Sequence, residues 1–224
     1  MHFIDFALII YVVYVPLLIA VYLLELIAIF QKRKKEFNSS FHRIFSIMAV
    51  VNTTSCLLGC FVFRLPLYPM VNRIYDAMAE SGAYYLNCLS EFLGVLLACN
   101  RFSATFYSTR HHKIWRLALI PGIFFCFLIS LAPIWYLLDD KHFFDYLASI
   151  YLHMAIVTVV CNVISFLLYS ACLIRLWMFS LTRNYTVERN FFLVGFLTMF
   201  FSLPYMAAMI NSQKVIIINY LFSF

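Results

Sequence analysis

Glu91 is the residue of this chain with most capacity for chemistry. A carboxylate stands about a third of the way along an apolar stretch, where charge is costly and usually turns to a protein interior. Its neighbours repeat at helical spacing. Asn87, Glu91, Gly94, Ala98 and Arg101 follow at i, i+4, i+7, i+11 and i+14. That pattern draws a polar and small-residue stripe down one helix face. One reading is a cavity wall with Glu91 and Asn87 near a ligand. The other, weighed slightly higher, is a structural hydrogen bond to another helix. His153 lies near the outer end of a later apolar stretch and is a further candidate ligand contact, although a lone histidine is more often satisfied by a neighbour. Asn52, Asn162 and Ser165 are also polar groups within apolar stretches. For them, interhelical hydrogen bonds are expected rather than ligand contacts.

Signatures of catalysis are missing from the sequence. No HExxH, GxSxG or Walker A pattern occurs, and His111-His112, the only histidine pair, falls in a basic segment. Neither metal nor cofactor is expected. The cysteines 56, 60, 88, 99, 126, 161 and 172 all lie in apolar stretches. They read as small core residues, not as a disulfide framework.

The elements that must position these groups are membrane helices. Of the 224 residues 65% are hydrophobic and only 12% charged. Soluble domains carry about 45–50% apolar and about 25% charged residues, so lipid must cover much of this surface. A spanning helix needs about 20 mostly apolar residues. Six segments qualify: 6–30, 44–66, 83–106, 117–138, 147–179 and 190–211. The first is expected to be a retained helix rather than a cleaved signal peptide, since no basic n-region or cleavage site marks one. A partial seventh occupies 215–224. Period-2 alternation in ten-residue segments does not recur, which argues against a barrel. The expected fold is an all-α membrane protein of one domain, with six complete transmembrane helices and a partial seventh. Pro133 and Pro204 should bend the fourth and sixth helices.

Charge orients the chain. The segments 31–43, 101–116 and 175–189 hold twelve of the sixteen Lys and Arg residues. The other side holds four: Arg64, Arg73, Lys141 and Lys214. Basic loops stay in the cytoplasm, so the N-terminus is expected outside. The net charge of +6 follows from the same loops and implies no nucleic-acid partner. On this topology the sequons at Asn38, Asn52 and Asn184 should carry no glycan.

The segment 96–115 reads Leu-Leu-Ala-Cys-Asn-Arg-Phe-Ser-Ala-Thr-Phe-Tyr-Ser-Thr-Arg-His-His-Lys-Ile-Trp. It resembles the nematode serpentine chemoreceptors of class V and class gamma, through Asn100, Arg101, Phe102, Ile114 and Trp115. Phe-Asn-Ser-Ser-Phe-His-Arg-Ile-Phe (37–45) is similar to that family's entry to the second helix, and Glu188-Arg189-Asn190-Phe191 to its approach to the sixth. The resemblance implies a rhodopsin-like serpentine bundle in the plasma membrane. It implies a G-protein-coupled chemosensory receptor for small environmental molecules, with a heterotrimeric G protein as cytoplasmic partner. By that likeness Arg101 takes the place of the arginine of a D/E-R-Y motif, with Asn100 in place of the acid, and Asn100, Arg101 and Phe102 form the coupling end. Without the resemblance, Arg101 reads as an interface anchor. No cysteine in 139–146 stands ready to pair with Cys88, so the disulfide common to other receptors is not expected. Two other readings stay open: a transporter or channel subunit, and a truncated receptor that does not signal. An embedded enzyme ranks below the transporter, because no catalytic constellation appears.

Overall fold

The computed structural model describes residues 20, 23, 24, 27, 40–64, 73–132 and 143–179. Four helices carry this part of the chain: α1 (Ser40–Arg64), α2 (Arg73–Phe106), α3 (Ser108–Ile129) and α4 (Phe143–Phe179). They overlap the second to fifth predicted spans, and each is long and apolar enough to cross a membrane. Residues 20, 23, 24 and 27 of the first predicted span are helical. The sixth span, the partial seventh and Pro204 lie outside the described residues.

Helices are the form that lipid demands, because each backbone group finds its partner within the segment. Side chains follow the same rule. In α1 the hydroxyls of Ser46, Thr53 and Thr54 donate to the carbonyls of His42, Ala49 and Val50, at 2.7, 2.8 and 2.9 Å. The apolar surface left outside is large. Leu117, Ile120, Phe124 and Phe125 on α3 and Leu167, Ile174 and Trp177 on α4 are all exposed, as lipid-facing residues should be.

The expected loop over 101–116 is corrected. α2 runs through Phe106, and α3 begins at Ser108, so only Tyr107 leaves helical geometry, at φ −126 and ψ 44. Its amide still donates to Ser103 O at 2.8 Å, and its carbonyl accepts from Arg110 and His111 at 2.9 and 2.7 Å. The break falls within a run rich in weak helix formers, Ser103, Thr105, Phe106, Tyr107, Ser108 and Thr109, in which hydroxyls compete with the ladder. Ser103 and Thr105 make such bonds to Asn100 O and Arg101 O.

The fourth span is also corrected. Its helix runs Ser108–Ile129 rather than 117–138, and residues 130–132 form a turn. Ser130, Leu131 and Ala132 donate back to Cys126, Leu128 and Ile129. Pro133 and the rest of that predicted span, 133–138, lie outside the described residues. The proline inside α3 is Pro121.

The chain divides into two units, Met1–Ser90 and Glu91–Phe224, with the boundary inside α2. In the first unit α1 and α2 meet along a polar seam. Ser90 Oγ donates to Asn52 Oδ1, and Ser55 Oγ donates to Asn87 Oδ1 at 2.8 Å. As the α1 number rises from Asn52 to Ser55, its α2 partner falls from Ser90 to Asn87, so the pair is antiparallel. Further along, a Cβ on Gly82 would stand 3.0 Å from Leu58 Cδ2.

In the second unit α2 and α3 form another antiparallel pair around Tyr107. Ser103 meets Trp115, and Gly122 lies against Leu96, where a Cβ would come within 3.1 Å of Leu96 Cδ1. α4 contributes Tyr169, Cys172 and Leu176, which pack with Ala98 of α2 in a buried cluster, flanked by Phe102 and Phe106.

Candidate functional site

Two polar centres lie on α2 within the second unit. The first is Glu91. It is half-buried, and Glu91 Oε2 accepts from Asn162 Nδ2 of α4 at 3.2 Å. The same amide donates to Thr158 O one turn back in α4, at 2.8 Å. Asn162 is thereby held by its own helix and presented to the carboxylate. The structural hydrogen bond weighed for Glu91 is thus present in the molecule. Gly94, three residues on, leaves open space: a Cβ there would meet nothing within 4 Å.

Asn87 is exposed, and its Oδ1 is engaged by Ser55 of α1. His153 is exposed on α4. Nine residues separate it from Asn162, which at about 100° and about 1.5 Å per residue places it half a turn round the helix and about 13 Å away along it. The helix therefore presents His153 and Asn162 on opposite faces.

The second centre lies at the far end of α2, where the sequence motif Asn100-Arg101-Phe102 falls. Asn100 is 1% exposed. Arg101 and Phe102 are half-buried. Phe102 stacks on Phe106, with ring centroids 4.3 Å apart, and Arg175 of α4 sits over the Phe106 ring at 4.4 Å. A guanidinium over an aromatic face contributes about 0.5–1 kcal/mol where it stays wet.

Ser103, which the sequence did not single out, joins this centre to α3. Its hydroxyl donates to Asn100 O at 2.9 Å and accepts from Trp115 Nε1 at 2.6 Å. His111 Nδ1 stands 3.0 Å from the same oxygen. A serine hydroxyl has one hydrogen. While it donates to Asn100, the proton of the third contact must sit on His111 Nδ1. Trp115 is buried, and its indole N–H has thereby found the partner a buried tryptophan requires. Ser103 could have been found from its spacing: it stands four residues before Tyr107, His111 four after it and Trp115 eight after it, so an antiparallel hairpin brings them together.

The two centres share the same helices. Glu91 meets Asn162, and fifteen residues later Phe106 meets Arg175, thirteen after Asn162. Numbers rise together on both helices, so α2 and α4 run parallel, as the third and fifth spans of an alternating bundle must.

Comparison with known proteins agrees with the motifs. Residues 8–223 match the model of the Srg family chemoreceptors. A curated relative, the serpentine receptor class gamma-10 of Caenorhabditis elegans, is 24% identical over 115 residues, which cover 46% of this chain and 36% of that protein's length. The NRF motif, the tryptophan eight residues after the hairpin turn and the four apolar helices all accord with that match, and the chain belongs to the Srg family of chemoreceptors.

Proposed function

We propose that this chain is a G-protein-coupled chemosensory receptor for small environmental molecules, lying in the plasma membrane with its N-terminus outside. The carrying observation is the pairing of Glu91 with Asn162 on the same two helices that meet again at Phe106 and Arg175. A polar ligand group that reaches Glu91 competes with Asn162 for the carboxylate. Losing that tie changes how α2 and α4 are held against each other, and the Phe106–Arg175 contact about 20 Å further along reports it. In this reading Asn87 and Glu91 take part in ligand recognition, with His153 as a separate contact nearer the outside. Asn100, Arg101 and Phe102 form the end that couples to a heterotrimeric G protein. The open space beside Gly94 supports room for a ligand close to Glu91.

The test is Glu91→Gln in cells expressing the chain, screened against small odorants with a G-protein readout. A rightward shift of the response by about tenfold or more is expected, the scale of one lost charge-assisted hydrogen bond of about 1.5–3 kcal/mol. An unchanged response at normal surface level would remove Glu91 from recognition. Substrate flux into vesicles containing the purified chain would favour the transporter reading instead.

A further inference from the structure

One exposed face of α3 has an arrangement to which the ligand and coupling roles proposed above assign nothing. At about 100° per residue, Arg110, Lys113, Arg116, Leu117, Ile120, Phe124 and Leu128 fall within one face about 120° wide. All seven are exposed. Trp115, Leu119 and Cys126 occupy the opposite side and are buried. Along the exposed face the order is strict: three cations in the first turns, then large apolar side chains for the rest of the helix. The cations span about 9 Å of rise. This is the outline of an amphiphile with a concentrated negative head.

We propose that this face binds a polyanionic phospholipid, with a phosphorylated inositol headgroup held by Arg110, Lys113 and Arg116 and the acyl chains lying along Leu117, Ile120, Phe124 and Leu128. Charge complementarity selects the occupant. Three cations within about 9 Å match one headgroup carrying several phosphate charges, whereas monoanionic lipids would have to crowd three heads into the same arc. Long arginine and lysine stems lie along the apolar boundary while their heads reach the phosphates. The site needs α3 to cross the bilayer, but it is independent of the ligand and coupling roles proposed above.

The experiment uses the full chain in nanodiscs of phosphatidylcholine doped either with phosphatidylinositol bisphosphate or with phosphatidylserine at equal total charge. Lipid retained on the extracted chain is read by native mass spectrometry. Preferential retention of the phosphoinositide is expected. The triple change Arg110→Gln, Lys113→Gln and Arg116→Gln should weaken it on the order of a hundredfold, from about fivefold per cation at a membrane surface. The matched change Lys32→Gln, Lys34→Gln and Lys35→Gln should leave it intact. Arg110→Lys with Arg116→Lys should keep binding, which separates lost charge from lost folding. Equal retention of phosphatidylserine would overturn the proposal, as would undiminished binding by the triple variant. Displacement of the lipid by free inositol phosphate at equal concentration would overturn the part played by the acyl chains.

Discussion

Ser103 carries more of the α2–α3 junction than its type predicts. Its single hydroxyl serves Asn100 O, Trp115 Nε1 and His111 Nδ1. Ser103→Ala removes all three contacts and leaves a buried indole N–H without its partner. A loss of about 1–3 kcal/mol is expected, measured as a lower melting temperature of the detergent-purified chain. A melting temperature equal to the parent's would show that Trp115 finds another acceptor at no cost. Glu91 was legible in the sequence as a charge in an apolar stretch. Its partner was only half legible: Asn162 stood out as a polar residue in a span, but nothing in the sequence said which helix it faced. Hydrogen-bond partners 71 positions apart are chosen by packing, not by local pattern.

Helix ends and helix contacts were the harder elements to read. Basic and polar residues from Arg101 to Arg116 look like a loop because they do not belong in hydrocarbon. The chain satisfies their backbone inside two helices and breaks at Tyr107 alone. Composition told where the membrane ends, and hydrogen bonding decided where the helices do. The two described glycines of the second unit then behave differently. Gly122 packs on Leu96 with little room, so Gly122→Leu should destabilise the α2–α3 pair by about 1–3 kcal/mol. Gly94 has open space, and Gly94→Ala should be neutral or stabilising by up to about 1 kcal/mol, since alanine is the better helix former. Parallel thermal melts of the two variants check both. Equal losses would mean that the space at Gly94 is filled.

At the scale of the molecule, the proposed outside N-terminus rests on the uneven distribution of basic residues between the two sides. An epitope tag added before Met1 should bind antibody on intact cells, whereas a tag placed between Lys35 and Glu36 should require permeabilised ones. Glycan on Asn38 or Asn184 would reverse the assignment, because glycosylation happens only on the outer side. The four described helices each suffice to cross a membrane, and α2 and α4 run parallel, as alternate spans of such a topology require.

Much of this was determined by the sequence alone. Apolar runs long enough to span, bounded by basic segments, dictate membrane helices, because backbone polar groups have no other partner in lipid. The NRF motif and its tryptophan pointed to the family that the comparison then showed. What the tertiary structure alone decided was which polar groups meet. Asn52 with Ser90, Glu91 with Asn162 and Ser103 with Trp115 are each set by interhelical register, which depends on how small residues let two helices approach and is not written in either helix by itself. Glu91 therefore enters as a conspicuous charge and leaves as one half of a tie between α2 and α4.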